Sequence, residues 1–307
     1  MIKRTVKKVL TLIIILIILS FFVFLLLYLA PGDPAEKRLT SQGVAVTKEV
    51  LDAERERLGL LKPFLVRYGE WLLGVLRGDF GVSFKDDMPV SPRLFAGLKN
   101  TMILAMSSLA LSLAIAFPLS VISAVHKDRF VDNLVKILSF IGNSLPNFLI
   151  SVLLMYVLCI KLNLFPVIAE GGFKGLVMPV ISLAIPMTGR FIRQIRAELV
   201  NEMKEDYCIG MRCRGVKSRY IMINVLRNSM GHIFTIIALQ IGLLMGGSVV
   251  IETIFRWPGI GKLVMDSITA RDYPVIMGFV IIMGTIYVII NQISDVLMHY
   301  FDPRTSQ

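Results

Sequence analysis

The chain has 307 residues, 55% of them hydrophobic, with a mean hydropathy of +0.71. That is too apolar for a soluble globular domain and is the composition of a polytopic membrane protein. The formal net charge of +11 does not indicate nucleic acid, because the cations collect beside apolar windows, where they set topology.

In chain order, the first apolar window covers 9–29 and follows Lys3, Arg4, Lys7 and Lys8. Its 21 residues exceed the ~7–15 of a signal-peptide core, and no small-x-small cleavage site follows, so it reads as an uncleaved anchor. Residues 30–100 carry 11 Lys/Arg against 10 Asp/Glu, a balance that suits a small folded cap. Thr47 is placed to cap a helix through Val50, Leu51 and Leu58 that stops at Gly59. Pro63 opens another, with Phe64, Tyr68, Trp71, Leu72 and Val75 at helical spacing. Tyr68 and Trp71 suit a bilayer interface, and ordinary packing accounts for them equally well.

Windows at 101–125 and 137–160 form a hairpin, the second with Pro146 inside it. The next, 175–189, is only 15 residues long before Arg190, about 22 Å. It counts as a span because Arg190 and Arg193 can snorkel or face a wet cavity. Pro146, Pro179 and Pro186 read either as kinks of the fold or as hinges beside a translocation path. The window 231–251 contains Gln240, its most deeply placed polar group, and the small residues Gly242, Gly246, Gly247 and Ser248, which permit close helix approach or leave a narrow lumen. In 252–272, Trp257-Pro258-Gly259 is a turn. Ile260, Leu263, Val264 and Ile268 then make a short amphipathic helix whose face lies on the membrane interface or meets a soluble partner. The last window is 273–294, with Asn291, Gln292 and Asp295 at its end.

Six spans are therefore expected, in an all-α membrane protein. Nine Lys/Arg lie from Arg190 to Arg227, whereas the loops 161–174 and 252–272 carry two and three. The positive-inside rule then puts both termini in the cytosol and the 30–100 cap outside.

Catalytic and metal chemistry is missing from the pattern. Gly261-Lys262 lacks the remaining letters of a phosphate loop, with Arg256 and Leu263 at the needed positions. His126, His232 and His299 are far apart, and Ser248 has no histidine placed for it. Cys159, Cys208 and Cys213 imply neither a disulfide framework nor a metal site. The spans are almost free of ionisable groups, so proton or sodium coupling has no seat. Energy for uphill transport must come from another chain. An autonomous channel is the competing reading, and flux through the isolated chain distinguishes the two.

One polar, glycine-punctuated stretch, 200–230, is placed to receive that energy. It reads as two short amphipathic helices joined by an elbow at Gly215, where glycine supplies the turn without steric cost. Glu205-Asp206-Tyr207, Gly215 and Leu226-Arg227-Asn228 resemble the coupling segment of binding-protein-dependent ABC importer permeases, and Gly210 falls within that segment. The Glu-Ala-Ala letters of that family fall here on Ile209-Gly210-Met211, which differ. Leu29-Ala30-Pro31-Gly32-Asp33-Pro34, Leu58-Gly59-Leu60, Gly78-Asp79-Phe80-Gly81 with Ser83, Pro89-Val90, Ser144-Leu145-Pro146-Asn147-Phe148, Trp257-Pro258-Gly259-Ile260-Gly261, Arg271-Asp272-Tyr273-Pro274-Val275 and Asp302-Pro303-Arg304 resemble, in order, the dipeptide/oligopeptide/nickel branch over nearly the whole chain.

The resemblance implies a type I ABC importer permease of the N-terminal type: an anchor (1–30), an extracytoplasmic cap (31–99) and a transmembrane domain (100–304) with an outer scoop at 252–273. It implies no catalytic residue, metal or cofactor in this chain, Mg-ATP being bound by partners. Those partners would be a second homologous permease, a pair of ATPase subunits and an extracytoplasmic solute-binding protein, in the lipid bilayer of a bacterial or archaeal plasma membrane. Trp257, Pro258, Gly259, Gly261, Asp272 and Tyr273 would form the scoop that contacts the binding protein. Pro146, Asn147, Pro186, Gln240, Gly246, Gly247 and Ser248 would line or hinge the pathway, which works by alternating access. The short 161–174 loop, His126-Lys127-Asp128-Arg129 and Ser139-Phe140-Ile141-Gly142 look nickel-like rather than peptide-like.

Overall fold

The computed structural model describes the backbone of residues 2–168 and 172–301 and the side chains of 10–168 and 172–293. Asp302-Pro303-Arg304 and part of the 161–174 loop lie outside the described residues. Two compact units emerge: Met1–Thr101 with Pro258–Val288, and Met102–Trp257 with Ile289–Gln307.

In the first unit, α1 (Ile2–Leu29) ends where Gly32, at φ +98, turns the chain into α2 (Pro34–Ser41). The Asp33 carboxylate caps α2 by accepting from the Ala35 N–H at 2.9 Å, and Pro34 takes the first helical position, where no N–H is needed. As expected, Thr47 caps α3 (Lys48–Arg57), Gly59 ends it at φ +68, and Pro63 precedes α4 (Phe64–Leu76). Tyr68 lies against Phe21 and Phe24 of α1, and its hydroxyl donates to the Ile17 carbonyl at 3.2 Å, so packing accounts for it. The loop 77–89 leads into α5 (Val90–Val125). Arg38, nearly buried, reaches the Phe84 carbonyl at 2.6 Å, Glu54 at 3.2 Å and Asp87 at 2.5 Å, which ties α2, α3 and this loop together.

In the second unit, α6 (Phe130–Ser144) and α7 (Asn147–Leu154), the latter extended by a π-helical turn Met155–Lys161, are bent 96° apart. The single helix expected over 137–160 is thus a broken one. Proline disfavours helical geometry at the residue before it, and here Leu145 adopts ψ 133. α8 (Gly172–Glu202) packs on α6, α7 and α10. It has 31 residues and passes through Pro179, Pro186, Arg190 and Arg193 without a break, twice the expected length. Hydroxyls on neighbouring helices donate to its carbonyls: Ser139 to Gly189 at 2.5 Å and Ser112 to Ala184 at 3.2 Å. These bonds fasten α8 to α6 and α5. A methyl group on Gly189 would sit 2.5 Å from the Ser139 carbonyl oxygen, so glycine sets the α6–α8 spacing.

After α9 (Asp206–Cys213), α10 (Ser218–Phe255) is one 38-residue helix. The second of the two short helices expected in 200–230 is therefore the start of α10, because no residue from Ser218 to Gly231 supplies a stop. α11 (Ile260–Ala270) and α12 (Tyr273–Phe301) follow, the last elements among the described residues. Among the described residues, five helices are long and apolar enough to cross a membrane, and the bent pair counted as one span makes six.

Candidate functional site

The elbow is built by local bonds. Glu205 precedes α9 in an extended conformation, and α9 ends with the Val216 N–H bonded to the Met211 carbonyl at 3.1 Å and the Gly215 N–H bonded to that of Arg212 at 3.0 Å. Gly215 has φ +74 with open space around it, so conformation rather than crowding requires glycine there. Tyr207 ties the segment together. Its hydroxyl donates to Glu202 of α8 at 2.9 Å and faces the Asn228 side chain of α10. Burial, then Cys208 and Glu202, push the Tyr207 phenol well above its usual range, so it stays a neutral donor at physiological pH. Cys208, on the inner side of α9, is fully buried, its thiol 3.5 Å from the Glu202 carbonyl.

The outward side of the elbow carries Glu205, Asp206, Ile209, Arg212, Arg214 and Gly215, all exposed. Gly210 and Leu226 are half-buried, and Arg227 and Asn228 exposed. A groove of about 560 Å³ beside α9 is lined by Val125, Met203, Arg212, Ile221 and Met222. An ion cluster that the sequence reading missed joins α8 to α5 and α6. Buried Asp132 accepts from Arg196 at 2.6 and 2.7 Å, from the Ser123 hydroxyl at 2.5 Å and from Lys136 at 2.8 Å. It locks α5, α6 and α8 together, and removing one partner of such a pair typically costs about 3–5 kcal/mol.

The residues read as an outer scoop are mostly turned inward. Trp257, Gly259, Gly261 and Asp272 are buried, Tyr273 is half-buried and Pro258 is exposed. The Ile260 N–H donates to Thr101 Oγ1 at 2.9 Å, Asn100 donates to the Pro258 carbonyl at 2.8 Å, and Ile260 joins a core with Phe80, Val90 and Leu94. Asp272 accepts from the Phe84 N–H at 2.9 Å and from the Ser83 hydroxyl. Burial pushes its carboxyl above the usual range despite those donors. The apolar face of α11 expected to meet the interface or a partner is largely core-packed: Ile260 and Val264 are buried and Leu263 packs against that cluster. Met265, Ile268 and Thr269 are what it leaves exposed.

Of the residues read as pathway or hinge, the structure gathers three. Asn147, Gln240 and Gly247 line one small cavity with Leu183, Arg190, Leu243 and Leu244. Asn147 opens α7 directly after Pro146 at the α6–α7 break. Gln240 lies 3.4 Å from Gln194 of α8. Pro186 and Ser248 are buried, the Ser248 hydroxyl bonding the Met245 carbonyl at 3.3 Å, and Gly246 has no neighbour that a methyl group would meet.

Comparison with known proteins accords with this arrangement. Residues 116–307 match the family described as binding-protein-dependent transport system inner membrane component, and residues 1–107 match its N-terminal family. The chain is 33% identical over 305 residues to the metal-staphylopine import system permease protein CntB of Staphylococcus aureus strain NCTC 8325 / PS 47, covering 99% of this chain and 98% of that protein. It is 34% identical over 304 residues to the nickel import system permease protein NikB of S. aureus strain USA300, covering 99% and 92%. With its broken third span, glycine elbow and long apolar helices, the chain belongs to the family of binding-protein-dependent transport system inner membrane components.

Proposed function

We propose that this chain forms one half of the translocation pathway of an ATP-driven importer and receives its driving force through α9. A second, homologous permease supplies the other half, a pair of ATPase subunits binds Mg-ATP, and an extracytoplasmic binding protein delivers solute. The chain is a permease subunit and contributes no catalytic residue. The elbow faces the cytosol of the plasma membrane, where the excess of Lys/Arg belongs.

The carrying observation is the construction of α9. It exposes Ile209 and Arg212 outward, while Tyr207 anchors it to α8 and α10, the helices that line the Asn147–Gln240 cavity. A push on α9 therefore reaches the helices around that cavity directly. ATP biases the pathway only if α9 is held differently in its two states. The import systems named for the relatives favour nickel or a metal chelate as solute over a di- or oligopeptide. Reconstitution tests this: the complete assembly takes up radioactive nickel, supplied free or chelated, only with ATP, and the chain alone passes none. ATP-independent flux through the isolated chain would make it a channel instead.

A further inference from the structure

α4 has two apolar sides. Phe64, Tyr68, Trp71 and Val75 recur at helical spacing and share the side that packs inward. Phe64 meets Phe21, Phe24 and Tyr28 of α1 edge-on, with ring centroids 5.7, 5.4 and 5.2 Å away, and Tyr68 and Trp71 join a cluster with Phe24 and Met277. Leu65, Leu73 and Leu76 share another side, again at helical spacing, and are 68, 57 and 76% exposed. Apolar side chains gathered in this way mark a contact surface. Depth decides what meets it. The apolar stretch of α1 runs from Leu10 to Leu29, between Lys8 and Asp33, so Ile17 and Ser20 lie near mid-span. The Tyr68 hydroxyl donates to the Ile17 carbonyl at 3.2 Å and lies 3.0 Å from Ser20 Oγ. Phe24, which touches Phe64, Tyr68 and Trp71, is about 7.5 Å inside the outer end of that stretch. α4 therefore flanks the outer half of a membrane-crossing helix, at the roughly 5–10 Å to which interfacial amphipathic helices sink their apolar face.

The polar edge of α4 is turned the other way. Arg67 and Glu70 line a pocket of about 230 Å³ with Leu58 and Gly59, at the end of α3, and Lys62 pairs with Glu70 at 2.8 Å. The Arg67 guanidinium lies over the Phe24 ring, 5.7 Å from its centroid, and its long stem lets the charge reach polar surroundings while the methylenes stay among apolar groups. We propose that α4 is a membrane-interface helix, seated in the outer leaflet with Leu65, Leu73 and Leu76 among lipid acyl chains and with Arg67 and Glu70 at headgroup level, and not a part of the water-exposed cap. The neighbouring α1 likewise exposes Phe22, Leu26 and Leu29. Tyr68 and Trp71, the residues that the sequence suggested for the interface, serve the inner packing, and the leucines take the lipid. The segments that flank α4, the turn after α3 and the loop 77–89, are thereby held at the membrane surface.

The test uses the assembled importer reconstituted in phospholipid vesicles, its native cysteines replaced and a single cysteine labelled with bimane. Leu73→Cys reports on the exposed apolar side and Glu70→Cys on the polar edge, with Leu65→Cys as a second apolar-side probe if Leu73→Cys fails to assemble. Phospholipids brominated high on the acyl chain should quench the label at Leu73→Cys strongly and that at Glu70→Cys weakly. Iodide, present on both sides of the membrane, should quench Leu73→Cys at least about fivefold less than Glu70→Cys, because a charged quencher does not enter hydrocarbon. Strong iodide quenching at Leu73→Cys without quenching by brominated lipid would place this side of α4 in water. Protection of Leu73→Cys from both quenchers would mean that another protein covers it. Either result, or equal quenching of the two positions, would overturn the proposal.

Discussion

Gly215 allows the elbow to be perturbed in measured steps. At φ +74 with nothing within 4 Å of an added methyl group, Gly215→Ala introduces strain without a clash. Left-handed geometry costs an ordinary residue about 1–2 kcal/mol, partly offset by the ~0.4–1 kcal/mol that alanine removes from the flexibility of the undocked segment. The net is about 1 kcal/mol, or roughly fivefold in an opening equilibrium. Gly215→Asn should cost less, because asparagine tolerates this region. Gly215→Pro fixes φ near −65° and deletes the N–H that reaches the Arg212 carbonyl at 3.0 Å, a cost of about 3 kcal/mol or more and roughly a hundredfold. Cys208 is a built-in reporter, fully buried on the inner side of α9, whereas Cys213 is exposed. In a Cys159→Ala, Cys213→Ser background, maleimide labelling of Cys208 tracks the opening of α9. Rates should rise in the order Gly, Asn, Ala, Pro. If Gly215→Pro leaves Cys208 as protected as glycine does, or the three substitutions act alike, the assigned geometry of the elbow is wrong.

Other outcomes follow from contacts elsewhere. Gly189→Ala places a methyl group 2.5 Å from the Ser139 carbonyl oxygen and 3.1 Å from the Asn143 nitrogen. These are backbone atoms that cannot rotate away, so thermal unfolding in detergent should show a loss of about 1–3 kcal/mol. Asp87 carries the pH prediction. The Arg38 guanidinium, then Arg57, hold its carboxyl below the usual range, so its contribution is complete above about pH 4 and is lost as pH falls toward the lowered folded value. Asp87→Asn keeps a residue that accepts its φ of 57 and removes the charge. Its unfolding temperature should therefore fall less than that of the unchanged protein between pH 7 and 3.

Local signals made part of this molecule legible. The caps at Thr47 and Pro63 and the stop at Gly59 act within a turn or two, and the helices between them begin and end where those residues place them. Hydropathy, in contrast, ran on across Leu145 and Pro146, so one apolar window concealed a 96° break. Polarity from Ser218 to Asn228 suggested a separate short helix, although polar residues end no helix by themselves, and α10 runs through them. Tertiary pairings left no trace in sequence: Asp132 with Arg196, and Ser83 with Asp272 at a separation of 189 residues. The motif around Asp272 was visible, but only packing shows that it holds the outer segment onto the 77–89 loop from within. Arg190 was legible as an awkward charge in a short span. Its neighbours Asn147 and Gln240 come from two other helices, and only the fold assembles them.

The central claim is that α9 is where an ATP-hydrolysing partner grips this chain. A single cysteine at Ile209, 49% exposed on the outward side of α9, tests it in the assembled, transporting complex by short-range crosslinking. The account predicts a covalent product with an ATPase subunit whose yield changes when ATP is bound and hydrolysed. A fully active complex in which that cysteine never captures an ATPase subunit would contradict it.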